Sequence, residues 1–263
     1  MMPDVPSELA LRVRASIRHG SSWPVVIETS RGDYFAKLRG AAQGTSALVA
    51  EIVVAELAER LSLAVPRRQL IRIEKSLPSA DPHGELRQLL DASVGLNLGF
   101  ELIKAARNLT LDEIERVPLE LRARIVWLDA LVLNVDRTSQ NPNLMLQSNR
   151  VWLIDHGAAL TFQHDWRNVR EQTPRETGGI VERHLFQVPD ALLWKVDQEL
   201  APRLPREALT AALAAVPDDF LLGLPAWLGT PRDLERERAA YVAFLWKRLK
   251  SPRPFLSRRP FDL

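Results

Sequence analysis

The sequence contains no cysteine among its 263 residues. A disulfide framework, a thiolate nucleophile and a cysteine-ligated zinc site are therefore excluded. The sequence also lacks any run of about 18 apolar residues, the length that a membrane-spanning helix needs, and its first residues show no long apolar segment of a secretory signal. We therefore expect a cytoplasmic protein with no membrane partner.

The chain has little excess charge of either sign. Its formal net charge is +2, which is too small to indicate a nucleic-acid partner by itself. A hydrophobic content of 46% and a charged content of 26% are ordinary for a globular protein. At this length the chain can bury a large core, and an arrangement of two lobes is expected.

Two short apolar runs, at 143–146 and 151–154, flank a polar link at 147–150. This pattern is typical of a β-hairpin. If Leu146 pairs with Val151, the open end of the hairpin carries both Asn141 and Asp155. An amide oxygen and a carboxylate held side by side suit a hard divalent cation that keeps several waters.

Asp136 lies in the loop just before this hairpin, where it could orient or deprotonate a hydroxyl. With Asn141 it forms the D-x-x-x-x-N spacing of a kinase catalytic loop, and Asp155 begins a D-x-G where kinases carry a metal-binding aspartate. The first spacing alone is common by chance. Together with the hairpin and the D-x-G it favours phosphoryl transfer. The plainer alternative is that these polar residues only cap turns.

Lys37 lies in the second of two β-rich runs, at 25–29 and 34–38, which predict another hairpin. A helix is expected over about 46–61, with Glu51 on its apolar side. A buried carboxylate needs a cationic partner, and Lys37 is the predicted one. Kinase folds use such a pair to hold nucleotide phosphates. The alternative is a surface helix whose glutamate reaches solvent.

Gly20, Ser21 and Ser22 precede the first of these strands. Kinase folds place a loop over the nucleotide phosphates at this point, but the repeated glycines of the usual motif are missing. An ordinary turn is the alternative. Further along, a long apolar helix over 119–135 is expected to deliver Asp136 at its C-terminal end, and the region after residue 189 is predicted to be helical.

The segments LDALVLNVDRTSQNPNLML (128–146) and VWLIDHGAAL (151–160) resemble the compact HipA-like kinases, and more distantly the phosphatidylinositol kinases and protein kinases. The resemblance extends over roughly residues 15 to 170. It implies ATP, magnesium and an α+β, two-lobed protein-kinase-like fold. We therefore expect an N-lobe of antiparallel sheet plus one helix at 1–92, and a mainly helical C-lobe at 93–263.

The sequence thus predicts an ATP- and magnesium-dependent phosphotransferase that acts on a serine or threonine hydroxyl of a protein. Asp136 would act on the acceptor, Asn141 and Asp155 would hold Mg²⁺, and Lys37, fixed by Glu51, would hold the phosphates. Three alternatives remain open, which are a small-molecule kinase, a nucleotidyl transferase and a non-catalytic nucleotide-binding scaffold. An antitoxin-like or operon-neighbour protein is a further expected partner, whereas nucleic acid is not expected.

Overall fold

The computed structural model describes residues 6–16, 23–41, 43–80, 83–227 and 231–256. The chain divides into two compact units. Unit 1 comprises Met1–Val49, Pro66–Ala105 and Pro217–Pro225, and unit 2 comprises Ala50–Val65, Ala106–Val216 and Ala226–Leu263. Within the described ranges, none of the helices combines the length and the apolarity that crossing a membrane requires.

Unit 1 contains a six-stranded sheet with the strand order β1-β5-β6-β4-β3-β2. All neighbouring strands are antiparallel except β1 and β5, which are parallel. The strands are β1 (Glu8–Leu9), β2 (Arg12–Ser16), β3 (Val25–Thr29), β4 (Gly32–Lys37), β5 (Arg68–Ile73) and β6 (Gly95–Glu101). The predicted hairpin at 25–38 is confirmed, because Val25 pairs with Ala36 and Thr29 with Gly32.

Two helices accompany this sheet in the chain. The first, α1 (Gly44–Arg60), begins in unit 1 and continues into unit 2 from Ala50, and it confirms the helix predicted over 46–61. The second, α2 (Gly84–Ala92), places Leu86 and Leu90 in the apolar core beneath the sheet. A short helix of unit 1, α7 (Asp218–Leu222), comes much later in the chain, and its Asp219 accepts a bond from Arg39.

The central strand β6 depends on a glycine. A Cβ on Gly99 would lie 2.4 Å from Cδ1 of Ile71 and 3.1 Å from Cβ of Tyr34, so a larger residue would require the neighbouring side chains to shift. Glycine is a poor strand former in general. Here the close approach of its neighbours requires it.

Unit 2 is mainly helical and is built around α3 (Leu119–Val132), of which ten residues are buried. Its other helices are α4 (Ile180–Arg183), α5 (Asp190–Leu200), α6 (Arg206–Ala214) and α8 (Leu234–Leu249). Single 3₁₀ turns occupy Leu111–Arg116, Thr161–His164, Trp166–Asn168, Thr173–Arg175 and Ala201–Arg203. The helices predicted after residue 189 are thereby confirmed.

A small sheet in unit 2 contains β7 (Arg107–Asn108), β8 (Leu144–Gln147) and β9 (Arg150–Leu153). Strands β8 and β9 form the predicted hairpin, with Leu146 opposite Val151. The turn is a tight one at residues 148 and 149, and Ser148 adopts a left-handed backbone with φ of 53°. Beyond the strands, Ile154 N–H donates to the Asn143 carbonyl across 3.1 Å, so the pairing continues to the open end of the hairpin.

Candidate active site

The site begins where α3 ends. The helix stops at Val132 because Leu133 adopts the left-handed conformation, with φ of 55°. The predicted helix extended to residue 135, so it ends three residues earlier than expected. Asn134 is buried, whereas the side chain of Val135 is 47% exposed and Asp136 is half-buried. Asp136 therefore lies in a loop that leaves the helix, beside an exposed apolar side chain.

The carboxylate of Asp136 is held by two side-chain amides. Asn141 Nδ2 donates to Oδ2 of Asp136 across 2.7 Å, and Asn143 Nδ2 donates to the same oxygen across 3.0 Å. The main-chain N–H of Asp136 donates to Oδ1 of Asn134 across 3.2 Å. The structure thus brings together Asp136 and Asn141, which the spacing predicted, and adds Asn143 and Asn134, which it did not.

Asn141 and Asp155, which flank the hairpin, are the residues predicted to hold a metal ion. Because Asn141 donates through Nδ2 to Asp136, its amide oxygen points elsewhere and can act as an acceptor. Asp155 follows β9 with a left-handed backbone, with φ of 55°. Among the described residues, no three His, Cys, Asp or Glu side chains form a metal-binding group. A cation here would depend on Asn141, Asp155, water and phosphate oxygens, as Mg²⁺ commonly does.

Glu51 reaches the Asp155 turn. It is 0% exposed on α1, and its Oε1 accepts a hydrogen bond of 2.9 Å from the main-chain N–H of His156. Burial of this carboxylate was predicted, but its bond to the residue after Asp155 was not. Lys37 lies at the end of β4 in unit 1, where it is 7% exposed and pairs with Leu98. Its predicted ion pair with Glu51 stays a prediction.

The remaining predicted site residues are Gly20, Ser21 and Ser22. They lie outside the described residues, and their predicted contact with the phosphates stays a prediction. The two histidines near the site differ in their surroundings. His156 is 2% exposed, whereas His164 is exposed at the end of a 3₁₀ turn.

A buried ion pair lies beside the loop that carries Asp136. Arg137 Nε donates to Oδ2 of Asp129 across 2.6 Å, and both side chains are fully buried. Asn134 Nδ2 donates to the other carboxylate oxygen across 2.8 Å. Burial alone would raise the pKa of Asp129, but Arg137, His184 and Asn134 together hold it well below its ordinary value. Asp129 is therefore a carboxylate kept ionised by its partners.

His184 completes this group. The main-chain N–H of Phe186 donates to Nδ1 of His184 across 2.9 Å, so that nitrogen is an acceptor. The ring hydrogen is therefore on Nε2, which lies 3.0 Å from Oδ2 of Asp129 and donates to it. This contact joins residues 55 positions apart.

Arg137 connects the loop with the Asp155 turn. Its Nη1 donates to the carbonyls of Pro142 and Asn143, and its Nη2 lies 3.4 Å from Nδ1 of His156. One guanidinium thus contacts α3, the start of the hairpin and the residue after Asp155. The sequence predicts a structural rather than a catalytic role for Arg122 and Asp129, which lie seven positions apart on one helix face. Arg122 donates to the Val117 carbonyl and to Glu115.

Known protein families and solved structures include relatives of this chain. The family model described as HipA-like kinase matches residues 11–219. A search of curated protein sequences gave no significant match. Among solved structures, the crystal structure of a Helicobacter pylori proinflammatory kinase, CtkA, is similar, with a TM-score of 0.52 and 12% sequence identity over 93% of this chain and 98% of that one. At this identity the likeness shows the fold alone, and it confirms the predicted α+β, two-lobed kinase-like fold.

Proposed function

We propose that this chain, which belongs to the HipA-like kinase family, transfers the γ-phosphoryl group of ATP to a serine or threonine hydroxyl of a protein. The match of the family model to residues 11–219 confirms the family resemblance predicted from the sequence, and the chain is a kinase-type phosphotransferase. The observation that carries the finer proposal is the pair of amides, from Asn141 and Asn143, on one oxygen of Asp136.

Asp136 acts on the acceptor in this proposal. Both amide hydrogen bonds are to Oδ2 of Asp136. They fix the rotation of the carboxylate, and neither involves Oδ1. Oδ1 is then the atom that receives the hydrogen bond, and later the proton, of the attacking hydroxyl. A positioned base contributes about 10²- to 10⁴-fold in rate. Most of the remaining catalysis in phosphoryl transfer comes from positioning and charge stabilisation.

Asn141 and Asp155 would hold magnesium, which would supply positive charge to offset the negative charge of the phosphates. Asp155 is held in place on one side, because Glu51 accepts the N–H of the next residue, His156. Lys37 would supply the positive charge on the phosphates, and the loop at Gly20, Ser21 and Ser22 would cover them. Each of these roles requires a nucleoside triphosphate as the phosphoryl donor, and the family resemblance implies ATP.

The surroundings of Asp136 favour a polypeptide acceptor. Val135, which directly precedes it, has a side chain that is 47% exposed. An exposed apolar group beside the base gives a peptide segment something to pack against, whereas a strongly polar small molecule gains little from it. The exposed Val135 side chain therefore supports a protein substrate over a small-molecule substrate.

Isotope labelling tests the proposal directly. The purified chain, alone and with a cell lysate freed of nucleotides, is incubated with magnesium and ATP labelled in either the γ- or the α-phosphate. The proposal expects γ-label on protein, located by mass spectrometry on serine or threonine and absent with Asp136→Asn. Label on protein from α-labelled ATP would indicate nucleotidyl transfer, γ-label only on small molecules would indicate a small-molecule kinase, and no transfer would indicate a scaffold. Each of these three results contradicts the proposal.

A further inference from the structure

The C-terminal end of α3 has an unusual set of hydrogen-bond partners. The last four carbonyls of a helix have no partner within it and need one elsewhere. The Asp129 carbonyl accepts from the N–H groups of Leu133 and Asn134, which follow the helix. The Val132 carbonyl accepts from the N–H of Leu160 across 2.8 Å. The two carbonyls between them, at residues 130 and 131, require donors from outside the local chain.

Arg248 of α8 supplies both donors. Its Nη2 donates to the Ala130 carbonyl across 2.7 Å and its Nε to the Leu131 carbonyl across 3.0 Å. Its third nitrogen, Nη1, donates to the carbonyls of Pro174 and Glu176 across 3.2 and 2.7 Å. Arg248 is 0% exposed. One buried guanidinium therefore bonds the end of α3 and the segment that follows the Asp155 turn.

The charge of Arg248 suits this place. Burial lowers the pKa of Arg248 to about 10, with Arg175 acting in the same direction and Glu176 against it. At neutral pH the group is still a cation. The C-terminal end of a helix carries a partial negative charge, which a cation stabilises. The guanidinium therefore meets α3 at the end where its charge is favourable.

A close packing contact adds to these bonds. Gly178 lies so near Leu133 that a Cβ on it would be 2.6 Å from Cδ2 of Leu133. Leu133 is the left-handed residue at which the chain leaves α3. The segment that Arg248 holds at Pro174 and Glu176 therefore continues directly to a glycine packed on that residue. Bonds and packing act together on the exit from the helix.

We propose that Arg248 is a positioning residue, which caps α3 and so fixes where the following loop places Asp136. This inference rests on the role proposed above for Asp136. Residue 248 lies beyond the stretch, 11–219, that the family model matches. The helix that carries Arg248 therefore supports the catalytic loop, although the family match does not include this helix.

Two substitutions and one control test the inference. Arg248→Met removes all four bonds, and Arg248→Lys keeps the charge but loses the planar fork that spans both segments. Arg238→Met is the control, because Arg238 lies on the same helix and donates to the Val216 carbonyl, which lies outside α3. For each protein, the stoichiometry and Kd for ATP with magnesium and the kcat of phosphotransfer are measured.

We expect Arg248→Met to bind nucleotide with unchanged stoichiometry and a Kd within about threefold, while kcat falls about 10²-fold, as for a small misplacement of a catalytic group. Partial unfolding would instead lower the stoichiometry in step with kcat. The kcat of Arg248→Lys should lie between those of the parent and Arg248→Met. Arg238→Met should keep kcat within about threefold of the parent. A kcat for Arg248→Met as high as that of the control overturns the inference.

Two further results also decide. If Arg248→Met does not fold, Arg248→Lys tests the inference in its place. An unchanged kcat in Arg248→Lys overturns the inference, and a lowered kcat at full stoichiometry supports it. If the parent protein transfers no phosphate, the proposed function fails, and hydrogen exchange tests the cap alone. Faster exchange of the Leu133 and Asn134 amides in Arg248→Lys than in Arg238→Met then supports the cap, and equal exchange overturns it.

Discussion

The main-chain N–H of His156 donates to Oε1 of Glu51 across 2.9 Å, although the two residues are 105 positions apart in the sequence. Glu51 lies on α1 and His156 directly follows Asp155, so the bond joins this helix to the turn that would carry the metal-binding aspartate. A carboxylate has two oxygens and about four acceptor positions. The bond is therefore compatible with the predicted contact between Glu51 and Lys37, and it gives Glu51 a second task.

Glu51→Ala should weaken the use of magnesium. A hydrogen bond to a charged group contributes about 1.5–3 kcal/mol, so we expect the magnesium concentration for half-maximal phosphotransfer to rise about tenfold or more. Glu51→Gln keeps an acceptor oxygen and should have a smaller effect. The measurement is a magnesium titration at fixed ATP. Glu59→Ala, an exposed glutamate on the same helix, is the control, and an equal response of Glu51→Ala and this control would contradict the role.

The hairpin and the pairing of Asp136 with Asn141 could be predicted because they depend on short spacings. Alternation of apolar residues fixes a strand register locally, and five positions separate Asp136 from Asn141. Glu51 could be predicted to be buried, since it lies among apolar residues on its helix. Its partner could not, because nothing in a local pattern indicates a contact with a main-chain N–H more than a hundred residues away.

Two features were missed for the same physical reason. Strand β6 contains two glycines, which weaken a strand pattern, and only the neighbouring Ile71 and Tyr34 explain why Gly99 is needed. Asp129 was predicted to be structural because it shares a helix face with Arg122, but its partners were not predicted. The structure pairs it with Arg137 and with His184, which lies in another element. In both cases tertiary contacts outweigh the local pattern.

Asp129→Asn should destabilise the protein and slow catalysis. Breaking a buried ion pair costs about 3–5 kcal/mol, because the remaining charge is buried without compensation. Arg137 would then hold the Pro142 and Asn143 carbonyls less firmly, and the phosphotransfer rate per bound nucleotide should fall about tenfold or more. Chemical denaturation and kcat are the measurements. Asp197→Asn, which removes another buried carboxylate bonded to Trp127 and Arg253, should lower stability without slowing catalysis.

The same aspartate gives a dependence of stability on pH. The pKa of Asp129 is lowered in the folded protein, from an ordinary value of about 3.9. Its contribution is therefore fully present above about pH 4 and is lost as the pH falls toward the lower folded pKa. The difference in unfolding free energy between the parent and Asp129→Asn should shrink below about pH 4. A difference that grows in acid would contradict this assignment.

ATP with magnesium should raise the melting temperature more than ATP with a chelator. A ligand that binds only the native state stabilises it by about 2.7 kcal/mol at a hundredfold excess over Kd. If Asn141 and Asp155 hold the metal, Asp155→Asn should reduce the difference between the two conditions. Thermal unfolding at millimolar ATP is the measurement. A parent protein whose melting temperature does not respond to ATP would contradict nucleotide binding.

The most direct test compares Asp136→Asn with Asp155→Asn in phosphotransfer and in ATP binding. Asp136→Asn keeps the volume and one oxygen of the side chain but removes its negative charge. Turnover should therefore fall about 10²- to 10⁴-fold, while the Kd for ATP with magnesium stays within about threefold. Asp155→Asn should lower turnover and weaken magnesium-dependent binding as well. If Asp136→Asn transfers phosphate within about threefold of the parent rate, Asp136 is not the catalytic aspartate and the proposed mechanism is wrong.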